Sequence, residues 1–187
     1  MTMDIKEGYM PFMGYKTYYR IVGKSDEGKY PIILLHGGPG STHNYFEMLD
    51  RIAESGHAVI MYDQLGCGNS FVEGHSELWT PETWLNELCS LIEYLHIDRF
   101  HLLGQSWGGM LAIIYLIEKK AKGVKSAILS STLSSSKLWA TEQHRMIKFM
   151  SEEDQKAMLK QKQTMTFQVK RMQWQMNILC FCTAQVR

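Results

Sequence analysis

The segment that most constrains the fold is Gly104-Gln105-Ser106-Trp107-Gly108-Gly109, which stands between an apolar run, Phe100 to Leu103, and a helix-like run, Met110 to Ile117. A G-x-S-x-G turn between a strand and a helix reverses the chain so sharply that only small residues fit on either side of the serine. Ser106 is held in a strained conformation with its hydroxyl exposed. The following helix aims its N-terminus at the same point. This strand-turn-helix unit is a nucleophile elbow.

A second glycine loop stands upstream in the expected order. Ile32-Ile33-Leu34-Leu35 reads as a short buried strand and runs into His36-Gly37-Gly38-Pro39-Gly40, a loop that can bring backbone N–H groups close to a ligand. Such a loop supplies half of an oxyanion hole. In the elbow geometry the other half is the N–H of the residue after the nucleophile, here Trp107, so two donors converge where negative charge develops during acyl transfer. The plainer reading is that the glycines only make tight strand-to-helix turns.

Together with Asp63-Gln64-Leu65-Gly66-Cys67-Gly68-Asn69-Ser70, these two segments resemble the signature set of the proline iminopeptidases, serine peptidases of the α/β-hydrolase fold. The likeness runs from about Gly8 to about Lys160. It implies Ser106 as nucleophile and the backbone N–H groups of Gly38 and Trp107 as oxyanion hole. His36, Gly37, Pro39, Gly40 and Gln105 would then shape or support the pocket. It further implies release of N-terminal proline from a peptide through an acyl-enzyme, without metal or other cofactor. An esterase or amidase of the same fold acting on a small ester or amide, or a non-catalytic fragment, are the alternatives.

The rest of the chain suits an α/β architecture, a mostly parallel sheet with helices on both faces. Strands are expected at Lys16–Val22, Pro31–Leu35, Ala58–Tyr62, Phe100–Leu103 and Val124–Leu129. Helices are expected at Asn44–Glu54, closed by Gly56, from Thr80-Pro81 through Leu95, and at Met110–Ile117. Residues 1–133 read as the N-terminal part of a hydrolase core. Residues 134–160 read as two amphipathic helices beginning a helical cap, the second starting at Ser151-Glu152-Glu153-Asp154.

Residues 161–187 look foreign to the rest. This stretch holds none of the 19 Asp and Glu residues and four of the 20 Lys and Arg residues, so it carries +4 against −3 for the first 160 positions. A basic tail lying on an acidic partner is one reading. A shift of reading frame is the preferred one, because the same nucleotides read one position earlier can encode NDFSSEENAMANEYFMLLH, an acidic, helix-forming string of the kind a cap requires. The fold is accordingly expected to be incomplete, without its last strands and most of its cap.

In this fold the triad follows the order serine, acid, histidine, and only His144 follows Ser106 in the chain. His144 falls in a cap helix, where a surface or packing role is expected rather than catalysis. His36 is expected to orient the oxyanion loop, and Asp63 to brace the loop that follows it. The triad acid and base are thus expected beyond Arg187.

Composition points to an ordinary globular chain: 45% apolar, 21% charged, net charge +1, which suggests neither nucleic acid nor membrane as a partner. Residues 1–10 lack the apolar core of a signal peptide, and no apolar run is long enough to span a bilayer. Four cysteines without C-x-x-C spacing fit a reducing compartment, so the cytoplasm is the expected location, with cell-envelope association the alternative. No zinc-ligand spacing is visible, and oligomeric state is left open. Cys67, in a glycine loop near the expected pocket, is the position to watch for sensitivity to thiol reagents, although the plainer reading is a small residue in a turn.

Overall fold

The computed structural model describes residues 4–156 and 158. The chain divides into two compact units, Met1–Thr132 and Leu133–Arg187.

The first unit is built on a six-stranded sheet: β1 (Ile5–Phe12), β2 (Tyr15–Val22), β3 (Ile32–Leu35), β4 (Val59–Tyr62), β5 (Phe100–Gln105) and β6 (Val124–Ser130), in the order β1-β2-β4-β3-β5-β6. The pairs β3–β4, β3–β5 and β5–β6 are parallel, whereas β1–β2 and β2–β4 are antiparallel. The sheet is therefore mostly parallel with an antiparallel ribbon at one side. Strand β1 was not expected from the sequence, since Gly8 and Pro11 interrupt its alternation. It pairs with β2 through a two-residue loop, Met13-Gly14, with φ of 50° and 82°, and positive φ at both positions is the type I′ hairpin geometry. Pro11 is tolerated because β1 is an edge strand.

Helices α1 (Pro81–Tyr94) and α2 (Trp107–Glu118) carry the crossovers from β4 to β5 and from β5 to β6. Thr80 caps α1, its hydroxyl accepting from the Thr83 N–H at 3.1 Å, with Pro81 in the first turn, where its missing N–H costs nothing. Alternation along the strands divides the core. Phe100 turns toward α2 and meets Tyr115 edge-on at 5.9 Å, while Leu34, Val59 and Met61 pack with Val22 and Phe46 on the other face.

Phe46 belongs to the segment expected as an α-helix, which instead winds as a 3₁₀ helix over His43–Ser55. The reason lies in its own spacing. His43, Phe46, Leu49 and Ile52 recur every three residues, and a 3₁₀ helix with three residues per turn places them in one row against the sheet. Gly56 ends the segment in the left-handed conformation, φ 80°.

The second unit contains α3 (Ser136–Ile147), whose Ser135 cap accepts from the Leu138 N–H, followed by helical residues 152–156 begun by the Ser151 hydroxyl accepting from the Asp154 N–H. Residue 158 is also helical; positions 157, 159 and 160 of the second expected cap helix and the segment 161–187 with its proposed frame shift lie outside the described residues.

Candidate active site

The topology puts two loops side by side. The chain runs from β3 to β4 on one side and then returns to place β5 on the other, so β3 and β5 flank the switch point where α/β sheets bind ligands. Leu35 stands opposite Gly104 in the parallel register, so His36-Gly37 and Gln105-Ser106 leave the sheet next to each other. A Cβ built on Gly37 would lie 3.3 Å from Cβ of Ser106 and would strike the Gln105 side chain.

Ser106 sits between β5 and α2 with φ 52° and ψ −117°, a conformation that a non-glycine residue adopts only when its surroundings hold it. They do so from three sides. The Ser106 N–H donates to the Ser130 carbonyl at 2.9 Å, its carbonyl accepts from the Thr132 hydroxyl at 2.7 Å, and the same carbonyl accepts the Gly109 N–H at 3.0 Å. Side chains are excluded around it: a Cβ on Gly104 would meet the Gly108 backbone, one on Gly108 the Leu35 and His36 carbonyls, and one on Gly109 the Thr132 side chain at 2.5 Å. Ser106 itself is half-buried.

Trp107 opens α2, where a helix leaves its first N–H groups without intrahelical acceptors. Gly38, across the site, has φ 121°, and a Cβ there would strike the amide nitrogens of Gly40 and Ser41 at 2.5 and 2.8 Å, so the loop has no room for a side chain. The Gly38–Pro39 peptide is cis.

Two hydrogen-bonded chains join the loop to the elbow. In the first, the Gly37 N–H donates to the Tyr45 hydroxyl at 2.7 Å, which donates to Oε1 of Gln105 at 3.0 Å. In the second, the fully buried Gln64 uses its amide twice: Nε2 donates to the His36 carbonyl at 3.0 Å and Oε1 accepts the Trp107 indole N–H at 2.8 Å. The Gln64 backbone N–H also donates to Nε2 of His36 at 2.9 Å, which leaves the proton on Nδ1, facing the Gly37 carbonyl at 2.8 Å. Both nitrogens of His36 are thereby occupied, and burial lowers its pKa, so it is a neutral loop-holding residue and not a proton acceptor for Ser106.

Asp63 braces the loop that follows β4. Its Oδ1 accepts from the backbone N–H of His43 at 2.8 Å and lies 2.7 Å from Nδ1 of the same residue, while Oδ2 accepts the Asn69 N–H at 2.8 Å. Burial alone would raise this carboxyl's pKa, but the His43 and Asn69 donors outweigh it and the pKa is lowered. Cys67, in the same loop, is buried, and loss of solvent pushes its thiol up to about 12 despite a hydrogen bond from the Gly40 N–H. Cys67 is thus an inert buried thiol, in keeping with the plainer reading of a small residue in a turn.

Gln64, Tyr45 and Thr132 were not singled out by sequence reasoning as site residues. Gln64 lies within the quoted Asp63–Ser70 motif, but which groups its amide would meet depends on the packing of three separate segments. His144, on α3, has Nδ1 2.6 Å from the Ala140 carbonyl one turn back. A cavity of about 690 Å³ lined by Cys89, Glu93, His96 and Lys119 lies at the N-terminal ends of β5 and β6, away from Ser106. Among the described residues no group of three or more His, Cys, Asp and Glu side chains is arranged to hold a metal, and no helix is long and apolar enough to cross a membrane.

Comparison with known proteins places this geometry. The chain is 70% identical over 157 residues to a proline iminopeptidase of Clostridioides difficile, covering 84% of this chain and 54% of that protein. It is 59% identical over 167 residues to a proline iminopeptidase of Lactobacillus acidophilus, covering 88% and 57%. The chain spans about half the length of the curated relatives it matches. Among solved structures it superposes on a proline iminopeptidase of Mycobacterium smegmatis with a TM-score of 0.76 and 30% identity, over 87% of this chain and 56% of that one. It superposes on VinJ with a TM-score of 0.78 and 36% identity, over 86% and 55%. A family profile described as alpha/beta hydrolase fold matches residues 30–169. With the sheet order, the switch-point loops and the strained serine in agreement with that match, the chain belongs to the alpha/beta hydrolase fold family.

Proposed function

We propose that this chain carries the nucleophile half of a serine aminopeptidase that releases N-terminal proline from peptides through an acyl-enzyme. Ser106 attacks the carbonyl of the first residue, and the N–H groups of Gly38 and Trp107 receive the oxyanion. The observation that carries the reading is the conformation of Ser106, φ 52° and ψ −117°, held at the mouth of the switch point beside the His36–Gly40 loop. The proline iminopeptidases among its relatives supply the substrate class. Pro39, Gly40 and Gln105 support the pocket, residues 1–133 form the core and 134–160 the start of a cap. The setting is cytoplasmic and the partner is the peptide substrate.

A second reading, that the 187-residue chain alone turns over little or nothing, rests on the histidines. His36 has both ring nitrogens occupied, His43 is committed to Asp63, and the single histidine after Ser106 in the sequence is His144, in the second unit. Removing a triad histidine costs about a millionfold in turnover in a well-studied serine hydrolase. The test is hydrolysis of a proline aryl-amide, an alanine aryl-amide and an aryl ester by this chain and by a version extended in the shifted frame. Proline-selective activity of the extended chain, lost on Ser106→Ala, is expected. Equal turnover of the three compounds by the extended chain overturns the aminopeptidase reading.

A further inference from the structure

We infer that Gln64 is the positioning residue that fixes the distance between the two oxyanion donors. The inference rests on the assignment of Gly38 and Trp107 as those donors and adds what holds them apart. The donors belong to segments about seventy residues apart in sequence, one after β3 and one at the start of α2, and neither loop can set the spacing by itself. Gln64, which follows β4 and has no exposed surface, reaches both. Its Nε2 donates to the carbonyl of His36, two residues before Gly38, and its Oε1 accepts from the ring of Trp107, whose own backbone N–H is the second donor.

The orientation of this amide is dictated. An indole N–H can only donate and a carbonyl can only accept, so Oε1 must face Trp107 and Nε2 must face His36; a flipped amide would set donor against donor and acceptor against acceptor. The backbone of the same residue adds a third link through its N–H to Nε2 of His36. Edge-to-face contact between Trp107 and Trp84, 5.1 Å between ring centres, restricts the indole, so the position of the Gln64 oxygen is transmitted to the start of α2. By contrast the Tyr45 link ends on the half-buried Gln105 and does not touch Trp107.

The experiment compares the unaltered chain with Gln64→Leu, Trp107→Phe and the double variant, by amide NMR on the 187-residue chain and by steady-state kinetics on the frame-extended chain. The expected NMR result is displacement of both the Gly38 and the Trp107 backbone amide resonances in each single variant, including the Gly38 amide in Trp107→Phe, where the altered ring lies on the far side of the bridge. The expected kinetic result is a fall in kcat of roughly tenfold to hundredfold in each with KM little changed, as for a donor present but misplaced. The double variant should fall no further than Gln64→Leu, since the two substitutions remove one shared bond. Unmoved Gly38 resonances in Trp107→Phe, or losses in kcat that add in the double variant, overturn the inference. If the unaltered extended chain hydrolyses nothing, the proposed function fails while the NMR comparison still decides the role of Gln64; if Gln64→Leu does not fold, Trp107→Phe decides it alone.

Discussion

Asp63 and His43 are joined twice, for a single carboxylate oxygen of Asp63 receives the backbone N–H of His43 at 2.8 Å and stands 2.7 Å from its Nδ1. The pair ties the end of β4 to the start of the 3₁₀ segment that covers one face of the sheet. The other oxygen accepts the Asn69 N–H, so the one carboxylate holds three donors. Asp63→Ala leaves the buried His43 donors without their acceptor and is expected to cost on the order of 3 kcal/mol, measured as a shift in urea midpoint. Because the folded pKa lies below the unfolded one, the stabilisation is present above the unfolded carboxyl value and is lost as the pH falls through the folded value. Asp63→Asn should therefore narrow the difference in stability between pH 6 and pH 3.

Glu87 behaves in the opposite sense. It has no exposed surface, and loss of solvent raises its pKa to about 8, against the lowering effect of the Thr17 hydroxyl and the Leu65 N–H that its carboxyl accepts. The folded state thus holds a proton that the unfolded state releases near the ordinary carboxyl range. This contribution is complete below the unfolded pKa and declines as the pH rises toward about 8. Glu87→Gln, which stays neutral at every pH, is expected to flatten the fall in stability between pH 5 and pH 8 in a series of denaturant titrations.

Cys67 should be silent to Ellman's reagent in the folded protein. The thiolate is the reactive form, and a pKa of about 12 in a buried loop leaves almost none of it at pH 8. The expected result is labelling of Cys67 only after denaturant is added, read by mass spectrometry of the labelled peptides. Fast labelling under native conditions would mean that the Asp63–Ser70 loop opens.

Strand β6 is the weak side of the sheet. It is the edge strand opposite β1 among the described residues, and Lys125 to Leu129 are exposed without interruption, with Ile128 at 53% and Leu129 at 45% although they point to opposite faces. Parallel strands are normally covered on both faces, and an uncovered edge offers free backbone groups to another chain. The protein is expected to self-associate on size-exclusion chromatography. Ile128→Lys, which removes apolar surface without touching the buried core, should reduce the associated fraction.

Much of this architecture was legible in the residues because it depends on local chemistry. The apolar runs of β3 to β6, the Thr80-Pro81 start of α1 and the two glycine loops each declare themselves within a few positions. Strand β1 did not, since a methionine at the first turn position is an unusual occupant of a left-handed conformation and Pro11 reads as a breaker. The 3₁₀ winding of His43–Ser55 was concealed in a different way: apolar residues three apart satisfy one turn of either helix type, and only the row that meets the sheet distinguishes them. The site was readable as two loops but not as one object. What joins them, Gln64 and Tyr45, depends on the order of strands in space, and polar side chains carry no periodicity that would announce their partners.

The opposition of Leu35 and Gly104 also has a kinetic meaning. Their strands are neighbours in the sheet but about seventy residues apart along the chain, with β4 and α1 made in between. Local segments can form early, whereas this pairing bears the entropy of closing a long loop and belongs among the slow events of folding. A nascent chain emerging from the ribosome therefore displays every local signature of the elbow before Ser106 has met the His36–Gly40 loop.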